Sequence, residues 1–178
     1  IEKFQKDIVE QEFSDAVEEH RIEEIYWVGG EPLMYEQHWK YMQRIIELGD
    51  GPNLYARYNT NLSRVELNGI HLYKDLLTNI RDWQICASLD GVGEVGEYIR
   101  TGLNYNQFID NFKQGLEIAT NKRQMRLDFT LTTRGLYQIQ SIQNLAKELN
   151  CELLVKVCFA FTAMLTPIMQ VVREMPQD

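Results

Sequence analysis

Two glycines and a carboxylate, Gly29-Gly30-Glu31, followed by Pro32, close the apolar run Glu24-Ile25-Tyr26-Trp27-Val28. Glycine permits positive φ and close approach to the main chain, and proline stiffens the turn that follows. Such a segment offers bare N–H and C=O groups beside an anionic side chain. That is chemistry for holding a small polar ligand, above all an ammonium group. Glu31 is equally able to start a helix or to act as a general base. Other apolar runs also end on short polar residues: Asn59-Thr60-Asn61, Ser88-Leu89-Asp90-Gly91, Thr130-Leu131-Thr132-Thr133-Arg134 and Phe161-Thr162. Their hydroxyls, amides and carboxylates suit a ligand carrying amine, carboxylate and hydroxyl groups. The same residue types are also ordinary turn formers and caps. Arg100, in Tyr98-Ile99-Arg100-Thr101-Gly102, adds a guanidinium able to clamp a carboxylate.

Other constellations are weak. His20, His38 and His71 fall on predicted helices or their edges, and none pairs with Ser or Cys in a triad pattern. They are expected on the surface or on helix faces. Cys86, Cys151 and Cys158 have no metal or disulfide spacing. Cys86 and Cys151 lie in or beside strand patterns, where a buried small hydrophobe is expected. There is no P-loop and no dinucleotide fingerprint. Gly91-Val92-Gly93-Glu94-Val95-Gly96 is glycine-spaced but reads as a polar loop.

Hydrophobic periodicity supplies the elements that position these residues. Ile1, Phe4, Ile8, Phe13 and Val17 mark an amphipathic helix over 2–20. Strands are predicted at 24–28, 53–59, 83–89, 125–132 and 151–159. Helices are predicted through Trp39–Leu48 (closed by Gly49-Asp50-Gly51-Pro52), over 70–80, 106–119 and 138–149, and at the last ten or so residues. This is a β-α unit repeated about four times, as right-handed crossovers require. The strands read as near-continuous apolar runs, so parallel strands covered on both faces are expected. The fold class is α/β, either doubly wound or a complete or partial barrel. The leading helix calls for a strand before it, so the first strand is expected to be missing from this chain. In both architectures ligands sit at the carboxyl ends of the strands, where the polar residues above collect.

With 178 residues, 44% hydrophobic and 25% charged, the chain suits one globular domain. The net charge of −8 argues against a nucleic-acid or anionic-membrane partner. No apolar stretch approaches the roughly 20 residues of a bilayer span, and no secretory or lipidation signal occurs. Unpatterned cysteines point to a reducing cytoplasm.

The ordered series Val28-Gly29-Gly30-Glu31-Pro32-Leu33, Tyr58-Asn59-Thr60-Asn61-Leu62, Ala87-Ser88-Leu89-Asp90-Gly91 and Ile99-Arg100-Thr101-Gly102 resembles the radical S-adenosylmethionine (radical SAM) superfamily. It looks most like the branch with SPASM or twitch extensions, over roughly residues 22–160. The resemblance implies a partial (β/α)6 barrel. It implies that Gly29, Gly30 and Glu31 bind the methionine amino group of S-adenosylmethionine. Asn61, Ser88 and Asp90 would then help hold the ribose and carboxylate, with Arg100 a partner for the carboxylate. It further implies a [4Fe–4S] cluster, a 5′-deoxyadenosyl radical that abstracts a substrate hydrogen, and an electron donor such as flavodoxin or ferredoxin. The substrate would be a peptide or a small metabolite.

The family's Cys-x3-Cys-x2-Cys cluster loop is not in this sequence, and the three cysteines cannot replace it by spacing. The expectation is therefore a radical SAM core over 1–178, truncated at both ends and inactive alone. Two alternatives stand beside it. One is a noncatalytic barrel that binds S-adenosylmethionine or a nucleoside. The other is a cluster-independent hydrolase or lyase using Glu31 and Asp90 as acid and base.

Overall fold

The computed structural model describes residues 3–157. Five parallel strands form one sheet: β1 (Glu24–Trp27), β2 (Tyr55–Thr60), β5 (Asp82–Ser88), β6 (Met125–Leu131) and β7 (Glu152–Val157). Between β2 and β5 lies a short antiparallel hairpin, β3 (Glu66–Leu67) and β4 (Ile70–His71). The helices are α1 (Lys3–Glu18), α2 (Glu36–Glu47), α3 (Gly93–Ile99), α4 (Tyr105–Ile118) and α5 (Ile139–Glu148). The sheet order β1-β2-β5-β6-β7 follows the chain. Each crossover therefore moves to the next strand in the same direction, and the order never reverses. The chain is α/β with a parallel sheet, as expected.

Strands β1 and β2 alternate, and only the centres of β5 and β6, at Ile85-Cys86-Ala87 and Leu127-Asp128-Phe129, are covered on both faces. In β2, Ala56, Tyr58 and Thr60 are buried while Tyr55, Arg57 and Asn59 are half-buried. Trp83, Ile85 and Ala87 of β5 and Met125, Leu127 and Phe129 of β6 continue the buried face. Against it pack Val17 of α1, Trp39, Met42 and Ile45 of α2, Phe108 and Phe112 of α4, and Ile142 and Leu145 of α5. All the long helices thus feed one core on one side of the sheet. The opposite side carries Glu24 and Tyr26, Arg57 and Asn59, Gln84, Cys86 and Ser88, and Arg126 and Asp128. Most of these groups keep contact with water, which avoids the desolvation cost of burying them, but Cys86 and Asp128 are buried.

Four elements differ from the sequence expectation. Residues 70–80 are not one helix but the hairpin strand β4, a π-turn at Leu72–Leu76 and a 3-10 turn at Leu77–Asn79. His71 Nδ1 accepts from the Tyr73 and Lys74 N–H groups, and Asp75 accepts from the His71 N–H. Local side-chain bonds of this kind compete with a regular helix. The Gly91–Gly96 segment is not a polar loop, because α3 begins at Gly93. A Cβ on Gly96 would lie 2.2 Å from the Gly91 carbonyl oxygen. Those glycines serve backbone packing, not a phosphate cradle. In α1, Ala16 and Val17 are buried and Phe13 packs against the core, whereas Ile8 is exposed. Strand β7 is the last strand of the sheet among the described residues and has Val155 and Val157 exposed, not a buried apolar run.

Candidate active site

Strand β1 stops at Trp27, and the chain turns through Gly29 at φ +106°. An L side chain there would be strained, although nothing would touch its Cβ. Gly29 and Gly30 are exposed, and among the described residues no hydrogen bond engages the main chain of either. Two bare peptide units therefore stand at the carboxyl edge of the sheet.

Glu31 next to them is already committed. Its Oε1 accepts from the Leu33 N–H at 3.2 Å and from the Thr60 hydroxyl at 2.5 Å, and its Oε2 accepts from the Asn61 N–H at 2.7 Å. The first bond caps the 3-10 turn Pro32–Met34, and the other two tie the end of β1 to the end of β2. A carboxylate offers about four lone-pair positions, so about one remains for a ligand. Thr60 in turn accepts from the Leu62 N–H at 3.0 Å, and Leu62 sits at φ +48° with its side chain fully buried. A positive φ at a bulky residue is a local strain that the surroundings must hold. The Asn111 amide holds it from α4 by donating to the Leu62 carbonyl at 2.7 Å. Asn61 Oδ1 closes an Asx turn on Ser63 N–H at 2.9 Å, so its amide N–H groups are what it can offer a ligand.

Asp90 repeats the device one strand pair further along. It is 7% exposed, its Oδ2 accepts from Arg100 Nε at 2.7 Å, and its Oδ1 accepts from the Thr130 N–H at 3.3 Å. It thereby ties the ends of β5 and β6 and anchors α3, whose C-cap is Arg100. Asp90 and Arg100 thus meet each other, whereas the resemblance assigned each to a ligand. The bond to Asp90 uses Nε and leaves the terminal guanidinium nitrogens, on a side chain 30% exposed, to face outward. Ser88 closes β5 on the polar side of the sheet, half-buried and paired in register with Asp128.

The histidines and cysteines confirm little chemistry at this edge. His38 is fully buried, not on the surface, and lies edge-on to Trp27, Trp39 and Tyr58. Its Nε2 meets the Tyr58 hydroxyl at 3.1 Å. Burial lowers its pKa to about 3, so it is neutral and structural. Cys86 is buried, while Cys151 is half-buried with its thiol pushed up to about 11 by burial. Cys158 and the Phe161-Thr162 strand end lie outside the described residues. Among the described residues no three His, Cys, Asp or Glu side chains converge on a metal position. No helix among them is long and apolar enough to cross a membrane.

Two open clefts of about 570 and 640 Å³ lie at the amino ends of the strands, lined by Asp82, Trp83 and Gln124 among others. They are at the far end of the sheet from Glu31 and Asp90, where parallel α/β folds do not place their chemistry. The candidate site is therefore the carboxyl edge, with Gly29, Gly30, Glu31 and Asn61 on one side and Ser88, Asp90 and Arg100 on the other. Thr60, Thr130 and Asn111 also build it; the sequence marked the two threonines as strand-end residues without a partner and gave no sign of Asn111. Their signal was available only in part, because strand-end hydroxyls do not show which carboxylate they meet. Comparison of the chain with protein-family models, with curated proteins and with solved structures finds no match.

Proposed function

We propose that this chain is the core of a radical SAM enzyme, folded as part of a (β/α)6 barrel, whose carboxyl edge binds S-adenosylmethionine beside a peptide or small-metabolite substrate. The observation that carries the reading is the pair of unbonded peptide units at Gly29-Gly30, set beside a carboxylate with about one acceptor position left. Those groups fit an ammonium, which needs acceptors arranged around three N–H donors. Arg100, held by Asp90 through Nε alone, fits the carboxylate of the same amino-acid end. Asn61 and Ser88 stand at neighbouring strand ends, where ribose hydroxyls would find a donor and an acceptor. A sheet whose order follows the chain, with every long helix on one side, supports the barrel reading.

When bound, S-adenosylmethionine supplies the alkyl group that radical chemistry uses for hydrogen abstraction. The chain's own part is to grip the amino-acid end and fix its orientation. The described residues offer no ligand set for a [4Fe–4S] cluster. The geometry speaks against a hydrolase using Glu31 and Asp90, since both carboxylates are tied down by donors that hold strand ends together.

Titration of the ¹⁵N-labelled chain with S-adenosylmethionine and with 5′-methylthioadenosine, which lacks the amino-acid end, tests the clamp. The expected result is movement of the Gly29, Gly30 and Asn61 amides, with S-adenosylmethionine bound about tenfold more tightly, or about 1.4 kcal/mol. Gly29→Ala should erase that advantage. No detectable binding at millimolar ligand overturns the clamp. Reconstitution with iron and sulfide, in a protein carrying a three-cysteine loop, then separates an enzyme from a binding domain by whether 5′-deoxyadenosine forms.

A further inference from the structure

The polar side of the sheet holds two groups that the S-adenosylmethionine site does not use. Arg126 lies in the middle of that side, flanked in register by Cys86 of β5 and Glu152 of β7. Its Nε donates to the Cys86 sulfur at 3.1 Å, which fixes the plane of the guanidinium. Among the described residues no carboxylate pairs with it. Its two terminal nitrogens are left as a preset fork, the geometry that grips a carboxylate with two parallel hydrogen bonds.

Asp128 is two residues further along β6 on the same side, about 7 Å away by strand rise. Its side chain is only 3% exposed. Its Oδ2 is paired with the Lys156 ammonium, while its Oδ1 has no hydrogen-bond partner. A buried carboxylate oxygen without a donor is costly and rare. It calls for an N–H or O–H group. Lys156, the partner on Oδ2, is 45% exposed, and a long, solvent-facing lysine can shift to let a ligand reach the site. Asp128 also neighbours Ser88 in register, so the two groups run up to the carboxyl edge.

We infer that Arg126 and Asp128 form a subsite for a carboxylate that carries an N–H donor on the adjacent carbon, as in a free amino acid or a peptide C-terminus. Arg126 takes the carboxylate and Asp128 Oδ1 takes the N–H. As the position of the enzyme's substrate, this rests on the radical SAM reading. As a binding site, it does not.

The test is NMR titration of the whole labelled chain with glycine, N-acetylglycine, acetate and inorganic phosphate, followed at the Arg126 side chain and the Ser88 and Asp128 amides. Glycine or N-acetylglycine should saturate at about tenfold lower concentration than acetate or phosphate. Preference for glycine marks a free amino acid, and equal or better binding of N-acetylglycine marks a peptide terminus. Arg126→Gln should abolish saturation, and Arg126→Lys should keep a weakened form of it, which separates lost binding from lost folding. In Asp128→Asn the amide oxygen must face Lys156, leaving its NH₂ where Oδ1 was, so the advantage over acetate should vanish. Equal binding of all four probes, or saturation surviving Arg126→Gln, overturns the subsite. So does loss of S-adenosylmethionine binding in Arg126→Gln, because the fork would then belong to the clamp. Should the unsubstituted chain bind no S-adenosylmethionine, the proposed function falls, while the probes still decide this site.

Discussion

Replacing Glu31 by Gln changes one oxygen for an NH₂ group and almost no volume. The carboxylate accepts three hydrogen bonds, two at Oε1 and one at Oε2. A glutamine amide has only one oxygen. Placed at Oε1, it keeps Leu33 and Thr60 but turns its NH₂ toward the Asn61 N–H, donor against donor. Placed at Oε2, it keeps Asn61, abandons Leu33 and turns its NH₂ on the Thr60 hydroxyl, which no longer has an oxygen to donate to. At least one bond to a charged acceptor is lost in either case, about 1.5–3 kcal/mol, and those that remain lose their charge assistance. Glu31 is half-buried, so solvent repays part of this, and a net loss of about 2 kcal/mol is expected. For a domain of this size that lowers Tm by about 4–8 °C. Urea unfolding of Glu31→Gln, Thr60→Val and the double variant measures it. The two single losses should overlap, with a coupling of about 1 kcal/mol, because both variants act on the Glu31–Thr60 bond, the glutamine by removing its charge assistance and the valine by removing the hydroxyl. Strictly additive losses would refute the tie between β1 and β2. A Glu31→Gln protein of unchanged stability that had lost a cluster-independent turnover would refute the proposed role of the carboxylate altogether.

Two further outcomes follow from burial and close contact. His38 is held neutral by burial with a pKa of about 3, while the unfolded chain's histidine titrates near 6.5. Below pH 6.5 the unfolded state therefore binds the extra proton, so stability falls as pH drops from about 6.5 toward 3. At about 1.4 kcal/mol per pH unit, the loss from pH 6.5 to 5 is about 2 kcal/mol, and chemical unfolding of His38→Gln should lack that increment. In α3, Gly96→Ala should destabilise by about 1–3 kcal/mol in thermal unfolding, because the new Cβ would fall 2.2 Å from the Gly91 carbonyl oxygen. A gain of about 1 kcal/mol, as helix propensity alone predicts, would sink that account.

Much of the architecture was legible from periodicity. Among the described residues, all five strands of the sheet and four of the five helices fall where apolar spacing places them, because a core on one side imposes its period on the residues that face it. Positions of Gly29, Gly30 and Glu31 at a strand end were legible for the same reason. The π-turn at Leu72–Leu76 was not, since its cause is His71 and Asp75 bonding to nearby main chain. Nor was α3, where glycine spacing resembled a loop until Gly91 and Gly96 were seen in backbone contact.

Composition and order along the chain are local quantities, and they were enough to establish a parallel α/β domain with polar strand ends. Pairing is not local. That Glu31 would meet Thr60 and Asn61, that Asp90 would take Arg100 for itself, and that Arg126 would be left with a thiol and no carboxylate depend on which strands lie side by side and in what register. A one-residue slip would turn each of these side chains to the other face. The residue types therefore announced the chemistry available, and strand register distributed it between groups that hold the fold and groups left free to hold a ligand.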